Sequence, residues 1–178
     1  MAALDIRAAT PADLALVAAL GRRTYVEHYA SMWQPDALAT WLETQFGDAA
    51  VAADLAAPDV RYDLGFAGGA AVGFAKTRRD RPVDGRPDLI GLELQKIYFL
   101  ASATGHGYGS ALLAHVLARA DAAGEPRVWL DVLQSNRGGR RLYERFGFRV
   151  VGERHATMPP AFSFFVMVRE PGATSAST

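Results

Sequence analysis

Apolar residues change their spacing along the chain, and the changes mark out its elements. Residues 3–9 (ALDIRAA) alternate in part and predict a short strand. Thr10, Pro11 and Asp13 then open a helix: Thr10 can cap it, Pro11 suits its first position, and Asp13 completes a capping-box pattern. Leu14, Val17 and Leu20, with Leu16 beside them, supply its buried stripe. Pro35 opens a second helix carrying Leu38, Trp41, Leu42, Gln45 and Phe46, which Gly47 ends. A third, residues 48–57, stops at Pro58.

From residue 60 the texture becomes strand-like. Residues 60–67 and 70–76 flank Gly68-Gly69, a pair that tolerates the positive φ of a tight turn, and predict a hairpin. Residues 77–88, with their arginines, prolines and glycine, predict a loop. A long apolar strand follows over 89–100. After a glycine-rich turn come a helix at 107–123, a strand at 127–132, a helix at 135–146, and strands at 148–153 and 162–169. This order predicts an α/β fold, a mixed sheet with helices on both faces. No repeat or linker divides the chain, so one domain is expected over residues 1–170. Residues 171–178, small and polar, are expected to form a disordered tail.

Composition narrows the functional classes. A chain of 178 residues suits one compact domain. Its formal net charge is zero, which argues against a general nucleic-acid binder, although Arg137, Arg140 and Arg141 make a local basic patch. Cysteine is absent, which excludes disulfides, thiolate metal sites and a cysteine acyl-enzyme. His28, His106, His115 and His155 are scattered without metal-ligand spacing, so no metal is expected. No stretch reaches the ~18 apolar residues of a membrane helix. Residues 1–7 carry Asp5 and lead straight into structure, so neither a signal peptide nor a membrane partner is expected, and the address is expected to be cytoplasmic.

The most informative stretch is ELQKIYFLASATGHGYGSALL, residues 93–113. A strand runs into Gly105, Gly107 and Gly109, and a helix follows with Leu112, Leu113, Val116 and Leu117 on its buried side. Such a turn lets several backbone N–H groups point at one spot with no side chain in the way. The helix N-terminus adds about half a positive charge. Together they suit a phosphate or diphosphate; the plainer alternative is a glycine-rich helix cap. A P-loop is excluded because no Gly-Lys-Ser/Thr follows. A dinucleotide site stays open: Gly105, Gly107 and Ser110 approximate its fingerprint, and Asp131 lies 22 positions after Gly109. Against it, residues 101–104 separate strand from first glycine, and the motif falls beyond the midpoint of the chain.

The segment Thr104-Gly105-His106-Gly107-Tyr108-Gly109 resembles the hallmark of the GNAT superfamily of acetyl-CoA-dependent N-acetyltransferases, Arg/Gln-x-x-Gly-x-Gly/Ala. A second segment, SNRGGRRLYERFGFRVVGE (135–153), is similar to that family's Asn-x-x-Ala-x-x-x-Tyr-x-x-x-Gly-Phe pattern, with Asn136, Tyr143, Gly147 and Phe148 in register and Gly139 in place of alanine. The resemblance spans residues 6–168. It implies a mostly antiparallel sheet of about seven strands, the fourth splayed from the fifth. Thr104 departs from the pattern: it keeps a backbone amide but lacks the cationic or amide side chain. That loss weakens cofactor binding by roughly one to two orders of magnitude unless His106 or an arginine among Arg137, Arg140 and Arg141 compensates.

The resemblance also implies the chemistry. Thr104, Gly105, His106, Gly107, Tyr108, Gly109 and Ser110 would hold the pyrophosphate of acetyl-CoA, and the backbone of Ile97, Tyr98 and Phe99 would meet its acetyl and pantetheine parts. Asn136 would touch the pantetheine arm. Tyr143, beside the thioester, would act as general acid; the alternative is a core tyrosine. Glu93 would serve as base toward the amine; the alternative is a solvent-facing strand carboxylate. Acceptor specificity is expected from residues 25–41, with Glu27, His28, Tyr29, Trp33, Asp36 and Trp41, unless these aromatics are simply core. The pattern IRAATPADL…RRTYVEHYA is similar to the bacterial spermidine/spermine-acetylating branch, which implies a small amine or polyamine. Two other functions stay open: a catalytically weak acetyl-CoA-binding sensor of the same fold, and a nucleotide-dependent oxidoreductase. A monomer or a homodimer is expected, with residues 162–168 as a candidate dimer edge.

Overall fold

The computed structural model describes residues 3–156 and 161–172; the expected tail lies, from residue 173, outside them. In chain order the elements are β1 (Asp5–Ala8), α1 (Leu14–Tyr29), α2 (Pro35–Phe46), α3 (Asp48–Ala56), β2 (Val60–Ala67), β3 (Ala70–Val83), β4 (Arg86–Phe99), α4 (Tyr108–Ala122), β5 (Val128–Leu133), α5 (Arg137–Arg145), β6 (Arg149–Ala156) and β7 (Phe162–Arg169). Seven strands form one sheet in the order β1-β2-β3-β4-β5-β7-β6. The pairs β1–β2, β5–β7 and β6–β7 are antiparallel, and β4 runs parallel to β5. The α/β class is as expected. A dinucleotide fold requires a mostly parallel sheet, so this antiparallel pairing removes the oxidoreductase reading.

Two expectations fail. Residues 77–88 form strand rather than loop, with β3 running to Val83, a turn at Asp84-Gly85, and β4 beginning at Arg86. Arg79 pairs with Glu125, ahead of β5, at 3.1 Å and Arg81 with Glu93 of β4 at 3.7 Å, so polar composition here marks a solvated strand. The proposed dimer edge also fails. β7 lies between β5 and β6, which take both its edges, and the outer strands of the sheet are β1 and β6.

The chain divides into two compact units, Met1–Thr77 with Lys96–His115, and Arg78–Gln95 with Val116–Thr178. In the first, α1 buries Val17, Ala18 and Leu20, while Leu14 and Leu16 stay half-buried. Gly21 is fixed by close approach: a Cβ there would stand 2.2 Å from a ring carbon of Phe46, which is fully buried. Burying such a ring contributes about 1.5–3 kcal/mol. Phe46 meets Phe74 edge-on at 6.2 Å, and Phe74 meets Tyr62 at 5.8 Å, which carries the core onto β2 and β3. Asp13 pairs with Arg7 at 2.7 Å and accepts from the Thr10 N–H at 2.8 Å, the guanidinium first and the amide second holding its carboxyl well below the usual range. In the second unit Val83, Trp129, Val166 and Val168 form a core cluster against which Leu89 packs. There Arg169 grips Asp121 through two bonds of 2.9 and 3.0 Å.

Candidate active site

In the first unit β4 ends at Phe99, and the Leu100 N–H donates to the Val72 carbonyl of β3 at 2.8 Å. A single 3-10 turn, Ala101–Ala103, leads to Thr104 in extended conformation. Gly105 and Gly107 then adopt φ of 80° and 79°. Nothing lies within 4 Å of a Cβ at either position, so it is the left-handed backbone, and not crowding, that selects glycine. The helical ladder of α4 starts where the Ala111 N–H returns to the Gly107 carbonyl at 3.1 Å. The N–H groups of Gly105, His106, Gly107, Tyr108, Gly109 and Ser110 find no acceptor among the described residues. The nearby side chains turn inward instead. Thr104 Oγ1 donates to the Ala101 carbonyl at 2.7 Å, and His106 Nδ1 donates to the Thr104 carbonyl at 2.9 Å. The His106 ring stacks on buried Tyr108 at 5.5 Å and 16°. The side-chain donors of this exposed loop are thus used within it, and the donors without a partner among the described residues are its amides.

The strand feeding the turn changes phase. Leu92, Leu94 and Lys96 are buried in alternation, but the next buried residue is Phe99, so the pattern slips across Ile97-Tyr98. Hydrogen bonding slips too. Leu92 donates toward β5, at the Arg127 carbonyl (2.9 Å), whereas Leu100, of the same parity, donates to β3. One residue is out of step, as in a β-bulge. Past it the Phe99 carbonyl accepts from His28 Nε2 at 2.8 Å, and the Phe99 N–H shares its direction, away from β3. Beyond Leu100, Ala101 donates its N–H to Glu27 at 2.7 Å. Thus Glu27 and His28, expected to face an acceptor, are bound to backbone at the end of β4. The aromatics of α1 and α2 pack on one another: Tyr25 stacks on Trp41 at 3.8 Å, meets Tyr29 at 4.9 Å, and accepts from Trp33 Nε1 at 3.1 Å. Burial pushes the Tyr25 phenol up to about 12 and raises that of Tyr29. Tyr25 belongs to the core; Tyr29, Trp33 and Trp41 are half-buried at its rim.

The second unit holds the other three candidates. Asn136 caps α5, its Oδ1 accepting from the Gly139 N–H at 2.8 Å. Tyr143 is 8% exposed and meets Phe148 edge-on at 5.8 Å. Its carbonyl accepts from the N–H groups of Phe146 and Phe148 at 2.9 and 3.1 Å, with Gly147 at φ 85° between them, which explains the Gly-Phe pair that follows the tyrosine by four residues. Glu93 is half-buried on β4, pairs in register with Trp129, and lies 3.7 Å from Arg81 Nε. Asp131, weighed as a ribose acid, is bound by Arg154 at 2.6 Å, and burial raises its carboxyl despite that partner.

A family model described as the acetyltransferase (GNAT) family matches residues 24–148. The chain belongs to the GNAT acetyltransferase family. It is 31% identical over 160 residues to an uncharacterized N-acetyltransferase of Mycobacterium tuberculosis, an alignment covering 86% of this chain and 95% of the relative. Among solved structures it is similar to the PaiA N-acetyltransferase of Thermoplasma acidophilum in complex with coenzyme A, with a TM-score of 0.76 at 19% identity, covering 94% of this chain and 99% of that one. A ribosomal-protein-alanine N-acetyltransferase of Brucella melitensis gives a TM-score of 0.63 at 21% identity, covering 93% and 99%. These two likenesses show the GNAT fold, with its helices on both faces of the sheet.

For a GNAT acyltransferase the departures sit at Thr104 and Gly139. The Thr104 side chain is turned to its own loop, as above. A Cβ at Gly139 would stand 2.7 Å from Asn136 Nδ2, so this glycine accompanies an asparagine folded back as a cap. Arg140, a candidate to compensate for Thr104, pairs with Glu144 at 2.7 Å and lies over the Phe165 ring at 4.7 Å. Among the described residues no three His, Asp or Glu side chains gather as a metal site, and no helix is long and apolar enough to cross a membrane.

Proposed function

We propose that the protein, as one domain over residues 1–170, transfers an acetyl group from acetyl-CoA to an amine by direct attack in a ternary complex. The observation carrying this reading is the run of six backbone N–H groups, residues 105–110, at the start of α4, for which no acceptor is found among the described residues. Donors in such a run, backed by a helix N-terminus, fit a doubly charged diphosphate. Acetyl-CoA supplies the acyl group already activated as a thioester. Glu93 takes a proton from the acceptor ammonium, directly or through water, because an alkylammonium of pKa about 10.4 cannot attack while protonated. The C–N bond forms as the C–S bond breaks, and Tyr143 gives its phenolic proton to the departing sulfur. The second proton of the acetylated nitrogen returns to the Tyr143 phenolate, so that acetamide, free thiol and protonated Glu93 remain. The Phe99 N–H donates, in this reading, to oxygen on the reacting or pantetheine part. The Asn136 amide has its Nδ2 left to offer the pantetheine arm, since its Oδ1 serves the cap.

The acceptor we propose is a small amine or polyamine, on the likeness of IRAATPADL…RRTYVEHYA to polyamine acetylating relatives. Titration with acetyl-CoA, followed by a thiol-release screen over polyamines, amino acids, aminoglycosides and peptide N-termini, tests the reading. Saturable binding and release with a small amine are expected. Failure to bind acetyl-CoA removes the proposal. Binding without release across the panel favours a sensor, which the Thr104 substitution at the pyrophosphate turn supports.

A further inference from the structure

Two consecutive side chains in the last turn of α1 hold the backbone on either side of Leu100. His28 Nε2 donates to the Phe99 carbonyl at 2.8 Å, and Glu27 Oε2 accepts from the Ala101 N–H at 2.7 Å, although the partners are 71 and 74 positions apart in sequence. Leu100 itself is buried, and its N–H is used by Val72. The peptide joining Phe99 to Leu100 is thus held on both sides, by β3 at its N–H and by α1 at its carbonyl. The position of Glu27 does not serve its own helix, because a carboxylate in the last turn faces the negative end of the helix dipole. The Ala101 bond, more than the ion pair with Arg23, draws the Glu27 carboxyl below its ordinary range. Ala101 then opens the turn that carries the chain into the glycines, with the Ala103 N–H on the Leu100 carbonyl (2.9 Å) and the Thr104 N–H on the Ala101 carbonyl (3.2 Å).

We infer that Glu27 and His28 are positioning residues for the amide cradle, fixing where β4 ends and how residues 101–105 leave it, so that α1 tunes cofactor affinity without touching the cofactor. The inference rests on the acetyl-CoA reading above. A turn that is already held loses less freedom when it closes on a diphosphate, and binding is tighter by that difference. Holding the turn matters more in a chain whose motif begins with Thr104 instead of Arg or Gln, since the amides then carry the contact.

The test uses the full chain. Coenzyme A is titrated calorimetrically into wild type, Glu27→Ala, His28→Ala and the double variant, and hydrogen exchange of residues 99–105 is followed without ligand. We expect Kd to rise about 10-fold for Glu27→Ala and about 5-fold for His28→Ala, with faster exchange over that segment. Glu27→Gln and His28→Gln, which keep an acceptor and a donor at similar reach, should restore most of the affinity. Arg23→Ala removes the other partner of Glu27, at 2.8 Å, and should leave Kd unchanged. A double variant that binds within 2-fold of wild type, or a loss that the glutamine variants do not restore, overturns the inference. Lower melting temperatures with unchanged Kd also overturn it, since a purely structural role gives that result. If wild type itself fails to bind coenzyme A, the acetyl-CoA reading falls, while unchanged exchange at residues 99–105 in the alanine variants would sink the clamp on its own. Should His28→Ala not fold, His28→Asn, whose amide falls short of Phe99, takes its place.

Discussion

The glycine turn at the start of α4 and the helix α5 hold their candidate residues by opposite means. In the turn the side chains bond back to their own loop, Thr104 to Ala101 and His106 to Thr104, and the groups without an acceptor among the described residues are backbone N–H. In α5 the backbone is occupied with its own caps, and the candidate groups are side chains, Asn136 at the first turn and Tyr143 packed edge-on to Phe148. A site made of amides is sensitive to φ and indifferent to much side-chain chemistry. A site made of side chains has the reverse sensitivities. On the proposed function, that difference would let the turn tolerate threonine at position 104 while requiring glycine at its two positions of left-handed backbone, Gly105 and Gly107.

The comparison breaks first at Tyr143. Tyr143→Phe keeps the ring and its packing on Phe148 but removes the phenolic proton. It should lower kcat by about 100-fold and leave the coenzyme A Kd within 2-fold, measured by steady-state kinetics beside calorimetry. Equal kinetics would return Tyr143 to the core. The turn should respond the other way round. Gly107→Val places a β-branched residue at φ 79°, at a cost of about 1–3 kcal/mol if the backbone is kept. Coenzyme A should then bind roughly 5- to 150-fold more weakly, with kcat at saturation little changed. A fall in kcat without loss of binding would mean that the amides do not hold the cofactor.

A smaller effect probes side chains within the turn. Thr104→Arg restores a cation at the first motif position, on an exposed residue, at the loss of one bond to Ala101. Affinity for coenzyme A should rise about 10-fold at low ionic strength, and the gain should shrink as salt screens the exposed charge. No gain would show the amide run to be sufficient alone.

What could be foreseen from sequence follows the same division. The glycine turn and the two helices after it are legible because their signals are local: glycines in close succession permit the positive φ found at Gly105 and Gly107, and Asn136 caps the helix whose pattern begins beside it. Residues 77–88 resemble a loop in sequence because arginines and prolines are common in loops, while the ion-pair partners of Arg79 and Arg81, Glu125 and Glu93, lie elsewhere in the chain. The phase slip at Ile97-Tyr98 is hidden in an almost unbroken apolar run, where alternation carries no signal. In sequence Glu27 and His28 are polar residues near aromatics, but their bonds to Ala101 and Phe99 span more than 70 positions and leave no local mark.

The smallest effect decides how much α5 depends on one glycine. Gly139→Ala removes a residue that disfavours helix, a gain of roughly 0.5–1 kcal/mol. It also sets a methyl group 2.7 Å from Asn136 Nδ2, inside contact distance. The obstructing atom is the end of a short side chain, so Asn136 can rotate away, giving up its bond to the Gly139 N–H, which as a helix cap is worth about 1 kcal/mol. The two terms nearly cancel, and the melting temperature should move by no more than about 3 °C in either direction. The side chain should nevertheless change its occupation: with the cap released, both ends of the Asn136 amide become available to a ligand, and amide proton shifts of Asn136 and residue 139 should report it. If Gly139→Ala tightens coenzyme A, Asn136 serves the pantetheine arm better once it is free of the cap. If it weakens binding while the cap persists, the asparagine contributes through the backbone it fixes, and α5 resembles the glycine turn more than the contrast between them allows.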